Sequence, residues 1–514
     1  MRILEKRIKG GAGRVHLHEQ PDRLSRSLIW GLQKRYYANE GMQAWTSGSI
    51  PSYMSSNAYV AWSYARMADA FIRENTQSGA VTIVELGAGS GRFAYLALKA
   101  LMQLSGEATE FRYIMTDFTE ANLEAWRTCE NFKPFLDAGV LEFAVFDADH
   151  PDVSSLGIDG SIILISNYVV DTLRQDAFRI SNGQLMECRV AAATPSEKGL
   201  EETDSMQRII LHREFQPVSF PYYEDVAVNG VLSDYAGSLG DSGFILPVGF
   251  IRCLEVFRKA TDGAFMALLG DKARRSLDDL KGCSDANLVL HDGCFSFTAN
   301  FDALVRLEQK EGGVAMLSDD LDRGFVIAAL IRGAADRQSG ELKRVFEDEF
   351  HYLSPRDKWK LIKQSTAIAD ELDLASLISL LKLGRYETRI LLGFRKAVMR
   401  AIDTADKDCL EELPLVLERV WRVHYPLGIS RDVPFAIGRI YERLRMVDKA
   451  LDYFEHSLDE WGEDPITFYR LARCHEKLGD FVTALDFAER GLVLRPDSNS
   501  MNDLVRRLKT SESP

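Results

Sequence analysis

Val84-Glu85-Leu86-Gly87-Ala88-Gly89-Ser90-Gly91-Arg92 ends an apolar run, VTIVEL, and opens a helical pattern that continues to Met102. An apolar run that stops at alternating glycines reads as a strand turning sharply into a helix. Glycine adopts left-handed backbone angles at little cost and puts no Cβ between the backbone and a ligand. Dinucleotide sites space their glycines G-x-G-x-x-G, so a third glycine would fall on Arg92. Here the glycines are Gly87, Gly89 and Gly91, which is the wrong register for NAD.

Outward from this turn, Ala80 to Val170 alternates apolar runs with helical patterns: VTIVEL, a helix to Met102, FRYIM, a helix from Glu120, LEFAVF and SIILIS. Strands recurring between helices imply βαβ units and a parallel sheet covered on both faces. The pattern predicts a doubly wound, Rossmann-like α/β domain over residues 76–335. Asp117 closes the second strand, where a carboxylate can accept hydrogen bonds from both ribose hydroxyls of a nucleoside lying across the strand ends. Asp147 follows LEFAVF and is placed to contact an adenine amino group through its side chain or adjacent backbone. Aspartates at such positions also cap turns and helices. The expected cofactor edge is Glu85, Gly87, Ala88, Gly89, Gly91, Asp117 with Phe118, Asp147 with Ala148, and Asn167 after SIILIS.

The acidic residue followed by alternating glycines resembles the first motif of class I methyltransferases, which implies S-adenosylmethionine as cofactor. Asn167-Tyr168-Val169-Val170-Asp171-Thr172-Leu173 then resembles the N-E-x-x-D-A-L-P motif of the MidA-like methyltransferases, a family that includes a mitochondrial assembly factor of respiratory complex I. Tyr36-Tyr37 and the Pro51 to Tyr59 stretch resemble that family's N-terminal cap, and Phe297-Thr298-Ala299-Asn300-Phe301-Asp302 resembles its T-A-H-V-D-F segment. The resemblance runs from about Arg35 to Leu304 and implies methylation of an arginine on a protein partner. Asp171 matches the motif's aspartate, and with Asn167 it is the expected catalytic pair; a carboxylate there would hold a guanidinium and take its proton. Three positions depart from the family: Tyr168 replaces Glu, Arg174 replaces Pro and Asn300 replaces His. Without the Glu, Asn167 and Asp171 suit another amine, a hydroxyl or a carboxylate equally well.

Flanking segments complete the outline. Residues 1–75 read as an N-terminal helical cap, broken around Thr46-Ser47-Gly48-Ser49-Ile50-Pro51. FRI-SNG-QLMECRVA reads as a hairpin turning at Asn182-Gly183, with RIILHREF as a further strand, so a β insertion is expected over about 178–245. GAFMALLGDKA is another core strand. Residues 340–514 show only helical periodicity. Within them PFAIGRIYERLRMVDKALDYFEHSLDEW and ITFYRLARCHEKLGDFVTALDFAERGLVLRP repeat, over about 433–464 and 466–497. Ala450 and Ala484 lie 34 residues apart, the length of a tetratricopeptide unit, and small or apolar residues coincide in both copies. LLKLGRYETRILLGF reads as an earlier, degenerate unit.

Composition sets limits on function. At 514 residues the chain is longer than a single core supports. A formal net charge of -14 opposes nucleic-acid binding, which rests on Lys and Arg displacing counterions. Seven scattered cysteines without C-x-x-C spacing argue against a disulfide framework and against a metal site. No apolar run is long enough to span a bilayer, and a cytoplasmic setting is expected. The expectation is a methyltransferase whose acceptor is a protein or peptide recruited by the repeats, with homo-oligomerisation left open. The alternatives are a small-molecule biosynthetic methyltransferase and a cofactor-binding scaffold or assembly factor with little activity.

Overall fold

The structure, a computed structural model, describes residues 3–8, 11–43, 52–75, 80–105, 111–195, 208–284, 288–291, 294–319, 324–333, 340–427 and 431–511. The chain divides into two compact units, Met1–Arg356 and Asp357–Pro514.

In chain order the first unit contains β1 (Ile3–Ile8), β2 (Gly11–Leu17), α1 (Ile29–Glu40), α2 (Ala58–Asn75), β3 (Val81–Leu86), α3 (Arg92–Ser105), β4 (Phe111–Asp117), α4 (Glu120–Arg127), β5 (Leu141–Val145) and β6 (Ile162–Asn167). It continues with β7 (Asp176–Ser181), β8 (Gln184–Thr194), β9 (Ile210–Pro217), α5 (Val226–Ser238), β10 (Ser242–Leu246), α6 (Val248–Ala260), β11 (Phe265–Asp271), α7 (Phe301–Lys310), β12 (Val314–Leu317), β13 (Val326–Arg332) and α8 (Gly340–Glu347).

Among the described residues the central sheet has the order β12-β13-β11-β6-β3-β4-β5. The strands from β11 to β5 are parallel, whereas β13 runs antiparallel to β11 and β12 antiparallel to β13. Every residue of β3 is buried, as a strand covered on both faces requires, and Val84, Leu86, Leu164, Leu269 and Phe250 share one core. The chain leaves β3 toward β4 and β5 and then returns across it to β6. The order therefore reverses beside β3, and a crevice opens outside the carboxyl ends of the strands there. This is the doubly wound α/β sheet that the sequence predicts.

A second sheet, in the order β1-β2-β8-β7-β10, is antiparallel. It contains the predicted hairpin, turning at Asn182 (φ 51°) and Gly183 (φ 75°), and β9 pairs with β8. The N-terminus departs from the helical reading, because β1 and β2 are strands. Leu17 pairs with Ala193 of β8, and Val15 and Leu17 alternate into a small core with Ala191 and Ala193. That alternation spans too few residues to be distinguished without its partner strand. The expected break at Thr46 to Pro51 lies outside the described residues.

The helical unit was expected to begin at 340, but residues through Arg356 belong to the first unit. The buried Glu349 carboxylate accepts from Ser63 Oγ and Arg66 NH1, both at 2.7 Å, which ties this segment to α2. The second unit holds α9 (Leu374–Leu383), α10 (Thr388–Ala401), α11 (Lys407–Arg422), α12 (Val433–Arg443), α13 (Val447–Trp461), α14 (Pro465–Leu478), α15 (Phe481–Leu494) and α16 (Asn499–Ser511). The two repeats are the pairs α12/α13 and α14/α15. Gly438 admits the Phe454 ring where a Cβ would come within 2.8 Å of it. Asp432 and Asp464 cap α12 and α14 by accepting backbone N–H bonds. The last helix, α16, covers Ala472, Ala484 and Ala488 with Met501, Leu504 and Leu508. Among the described residues no helix is long and apolar enough to cross a membrane.

Replacing Glu349 with Ala leaves the fully buried Ser63 hydroxyl and the Arg66 guanidinium without their acceptor. Because Arg66 is partly solvated, the expected loss is about 1–2 kcal/mol, read as a melting temperature lowered by roughly 2–4 °C in scanning calorimetry. An unchanged melting temperature would show that the segment is held by its apolar contacts alone.

Candidate functional site

The predicted glycine turn is present. Gly87, Gly89 and Gly91 have φ of 60°, 54° and 77°, all in the left-handed region where a side chain is strained. Ala88 N–H donates to the Thr116 carbonyl at 2.9 Å, and Trp126 Nε1 donates to the Gly89 carbonyl at 2.9 Å. A Cβ on Gly87 would meet Val169 at 3.1 Å. The turn is thereby clamped between the second and fourth parallel strands in sequence.

A cleft lies at the carboxyl ends of β3, β4, β5 and β6. Six predicted residues line it: Gly87, Asp117, Phe118, Asp147, Ala148 and Asn167. Glu85, Ala88, Gly89, Gly91 and Asp171 do not. Glu85 is buried instead within the sheet, accepting from the Tyr113 hydroxyl at 2.9 Å, and burial raises its pKa to about 8. Strand alternation is the reason: Glu85 lies inside β3, while the chain bends toward the cleft only at Gly87. Ala88, Gly89 and Gly91 shape the turn from behind.

Asp117 is nearly fully buried. Its carboxylate accepts from Gly89 N–H at 3.3 Å and from the backbone and hydroxyl of Thr119 at 3.1 and 3.2 Å. Burial still raises its pKa against these bonds. Asp147 is engaged by Lys34 Nζ at 2.8 and 2.7 Å and lies 3.0 Å from His150 Nδ1. Burial pushes the Asp147 carboxyl up, but the bonds from Lys34 and His150 outweigh it and hold the pKa below the ordinary value.

One wall of the cleft was not foreseen. Helix α1 contributes Trp30, Gln33, Lys34 and Tyr37, which share a single helix face at spacings of three, four and seven residues. That spacing was the available signal, obscured because the face mixes aromatic and polar side chains. Gln33 Nε2 lies 3.4 Å from the Thr172 carbonyl, while its Oε1 is buried without a partner. Across the cleft, Asn167 Oδ1 accepts from the Tyr64 hydroxyl at 2.9 Å, and Asn167 Nδ2 is likewise buried without a partner. Gly270 permits this placement, since a Cβ there would come within 2.5 Å of Asn167 Oδ1. Asn167 and Gln33 both line the cleft and each carries one buried polar atom without a partner, which a polar ligand that drew these side chains toward it would satisfy.

Tyr168, the departure from the family motif, has φ 54°, a strained angle for a non-glycine residue. Its N–H donates to the Gly270 carbonyl at 2.8 Å, and its ring lies 5.3 Å from that of Phe325. Tyr168, Val169, Thr172 and Leu173 line the cleft, whereas Asp171 between them does not and is buried. Its backbone N–H donates to Asp271 Oδ2 at 3.1 Å, while its own Oδ1 has no partner. Burial raises the Asp171 pKa to about 7 and that of Asp271 well above the usual range, with Asp171 adding to the latter. The two aspartates form a buried carboxylate pair.

Residues 435–466 match the tetratricopeptide repeat family. No curated protein matches the chain. Among solved structures it is similar to two COG1565 superfamily proteins from Burkholderia thailandensis. One shares 13% identity over 63% of this chain and 90% of that chain, with a TM-score of 0.41. The other, bound to S-adenosyl-homocysteine, shares 15% over 56% and 80%, with a TM-score of 0.39. The plantazolicin methyltransferase BpumL, also in complex with S-adenosyl-homocysteine, shares 10% over 60% and 99%, with a TM-score of 0.27. At these TM-scores the likeness carries no functional argument.

Proposed function

We propose that the chain is an S-adenosylmethionine-dependent methyltransferase whose acceptor is a protein or peptide recruited by the tetratricopeptide-type repeats. The observation that carries this reading is that Asn167, Gln33, Asp117 and Gly87 line one cleft and that two polar atoms of this set, Asn167 Nδ2 and Gln33 Oε1, are buried without a partner. They supply a donor, an acceptor, a carboxylate for vicinal hydroxyls and a bare backbone edge, which together suit an amino-acid nucleoside. When bound, this cofactor supplies an electrophilic methyl group. The apolar faces of Trp30, Phe118, Phe146 and Leu173 exclude water from it.

Asp171 is the proposed proton acceptor. With a pKa of about 7 it exchanges a proton readily near neutral pH. Arginine as the acceptor rests on the motif resemblance. A second reading, a cofactor-binding scaffold with little activity, draws support from Asp171 not lining the cleft and from Tyr168 standing where the motif has Glu.

Gly89→Val forces a branched side chain onto a φ of 54° and should cost about 1–2 kcal/mol locally, too little to unfold the domain. Titration calorimetry should find S-adenosylhomocysteine binding to the wild type and not to a folded Gly89→Val protein, and NAD binding to neither. Equal affinity in both proteins would refute the cofactor assignment.

Asp171→Asn should leave S-adenosylhomocysteine affinity nearly intact and slow methyl transfer from labelled cofactor into host-extract proteins by roughly 100-fold. Wild-type turnover should rise with pH through about 7, as the carboxyl becomes the carboxylate. An aspartate unfolded titrates near ~4, so the raised folded value makes the wild type lose stability as pH climbs from about 4 to about 7. The variant lacks that loss, so its melting temperature relative to wild type should be higher at pH 8 than at pH 5. Unchanged turnover in Asp171→Asn assigns the proton to another base, whereas no turnover in the wild type itself favours the scaffold reading.

A further inference from the structure

Helices α10, α12 and α14 stand side by side in the second unit: α10 packs on α12, and Arg470 NH1 of α14 reaches Glu442 of α12 at 3.1 Å. This row carries Arg395, Arg439, Arg470, Arg473 and Lys477. Arg439 and Arg473 occupy the same position of the two repeats, 34 residues apart, as do Glu442 and Glu476. The positive charges are therefore a repeated feature of the face.

The carboxylates on this row are too few to neutralise it. Glu442 is shared by Arg439 Nε at 3.3 Å, Arg470 NH1 at 3.1 Å and Lys477 Nζ at 3.8 Å. Glu476 is divided between Arg473 at 3.2 Å and Arg507 of α16 at 2.7 Å. Arg395 has no partner among the described residues, and the Nε atoms of Arg439, Arg470 and Arg473 are buried without a hydrogen bond. Burial lowers the Arg439 pKa, and the neighbouring charges of Arg470 and Arg395 lower it further. Like charges held this close destabilise the isolated unit, and an anion on the row would relieve the repulsion. The surplus is local, since the whole chain carries a formal charge of -14.

We propose that this arginine row binds an extended, Asp- and Glu-rich segment of a partner protein. Carboxylates spaced along such a segment match guanidinium forks presented at successive repeats, and each fork takes a carboxylate with two parallel N–H bonds. The proposal deepens the reading that the repeats recruit a protein partner and rests on that part of it. It gives the partner a chemistry: acidic and extended, without requiring a fold.

The test is fluorescence anisotropy of a labelled oligoglutamate peptide of about ten residues with the full chain. Saturable binding that weakens as salt rises is expected, with no binding of an oligolysine peptide of the same length. Arg395→Glu should weaken oligoglutamate binding at least about tenfold while leaving the melting temperature unchanged or raised, because Arg395 has no internal pair to lose and a glutamate there faces Arg439. Arg473→Glu should weaken it similarly, whereas Arg506→Glu on the exposed side of α16 should not. Absence of saturable binding overturns the proposal, as does wild-type affinity in both row variants. Tighter binding of a single-stranded oligonucleotide to the same arginines also overturns it. S-adenosylhomocysteine is titrated into the same samples: cofactor bound without peptide overturns this inference alone. Peptide bound without cofactor upholds it and overturns the methyltransferase assignment.

Discussion

The site depends on one backbone constraint, three left-handed glycines at alternate positions beyond the end of β3. Because Gly87, Gly89 and Gly91 hold positive φ, the chain turns into α3 within a few residues and leaves a bare backbone edge at the sheet's reversal point. Gly89 N–H then reaches Asp117, and Trp126 holds the Gly89 carbonyl from the other side. A Cβ on Gly87 would crowd Val169, and side chains at all three glycines would be strained at these angles. The rest of the cleft is assembled against this fixed edge.

Three polar groups sit in that cleft at a cost. Asp117 is buried against the preference of a charge for water, and Asn167 Nδ2 and Gln33 Oε1 lack partners. Unpaired buried polar groups each cost on the order of 1–3 kcal/mol. Tyr168 adds backbone strain beside them. Gly270 shows that the surroundings accommodate this arrangement, since only a glycine leaves room for Asn167. A ligand that satisfies these groups would recover the cost as affinity.

Local patterns made much of this legible. The strand–glycine–helix signal located β3 and its turn, and alternation of strands and helices located β4, β5 and β6, because each element carries its own period. Six expected ligand residues line the cleft for the same reason: they follow directly from strand ends. What was missed depends on tertiary contact. The wall from α1 reaches the sheet across the chain, so the helical spacing of Gln33 and Lys34 marks a shared face but not what that face meets. Strands β1 and β2 take their identity from pairing with β8. Asp171 is left out of the cleft lining in a turn whose backbone bonds to Asp271 of β11. Glu85 was expected at the ligand because its spacing fits a motif, but strand alternation turns it to Tyr113.

The central claim is that the cleft bounded by Gly87, Asp117 and Asn167 holds the cofactor. Its most direct test is a crystal structure of the full chain grown with S-adenosylhomocysteine. Density is expected in that cleft, with ribose hydroxyls at the Asp117 carboxylate and with Asn167 Nδ2 and Gln33 Oε1 both turned to hydrogen-bond the ligand. Ligand bound elsewhere, or a cleft still without it at saturating concentration, would show that this cleft is not the cofactor site.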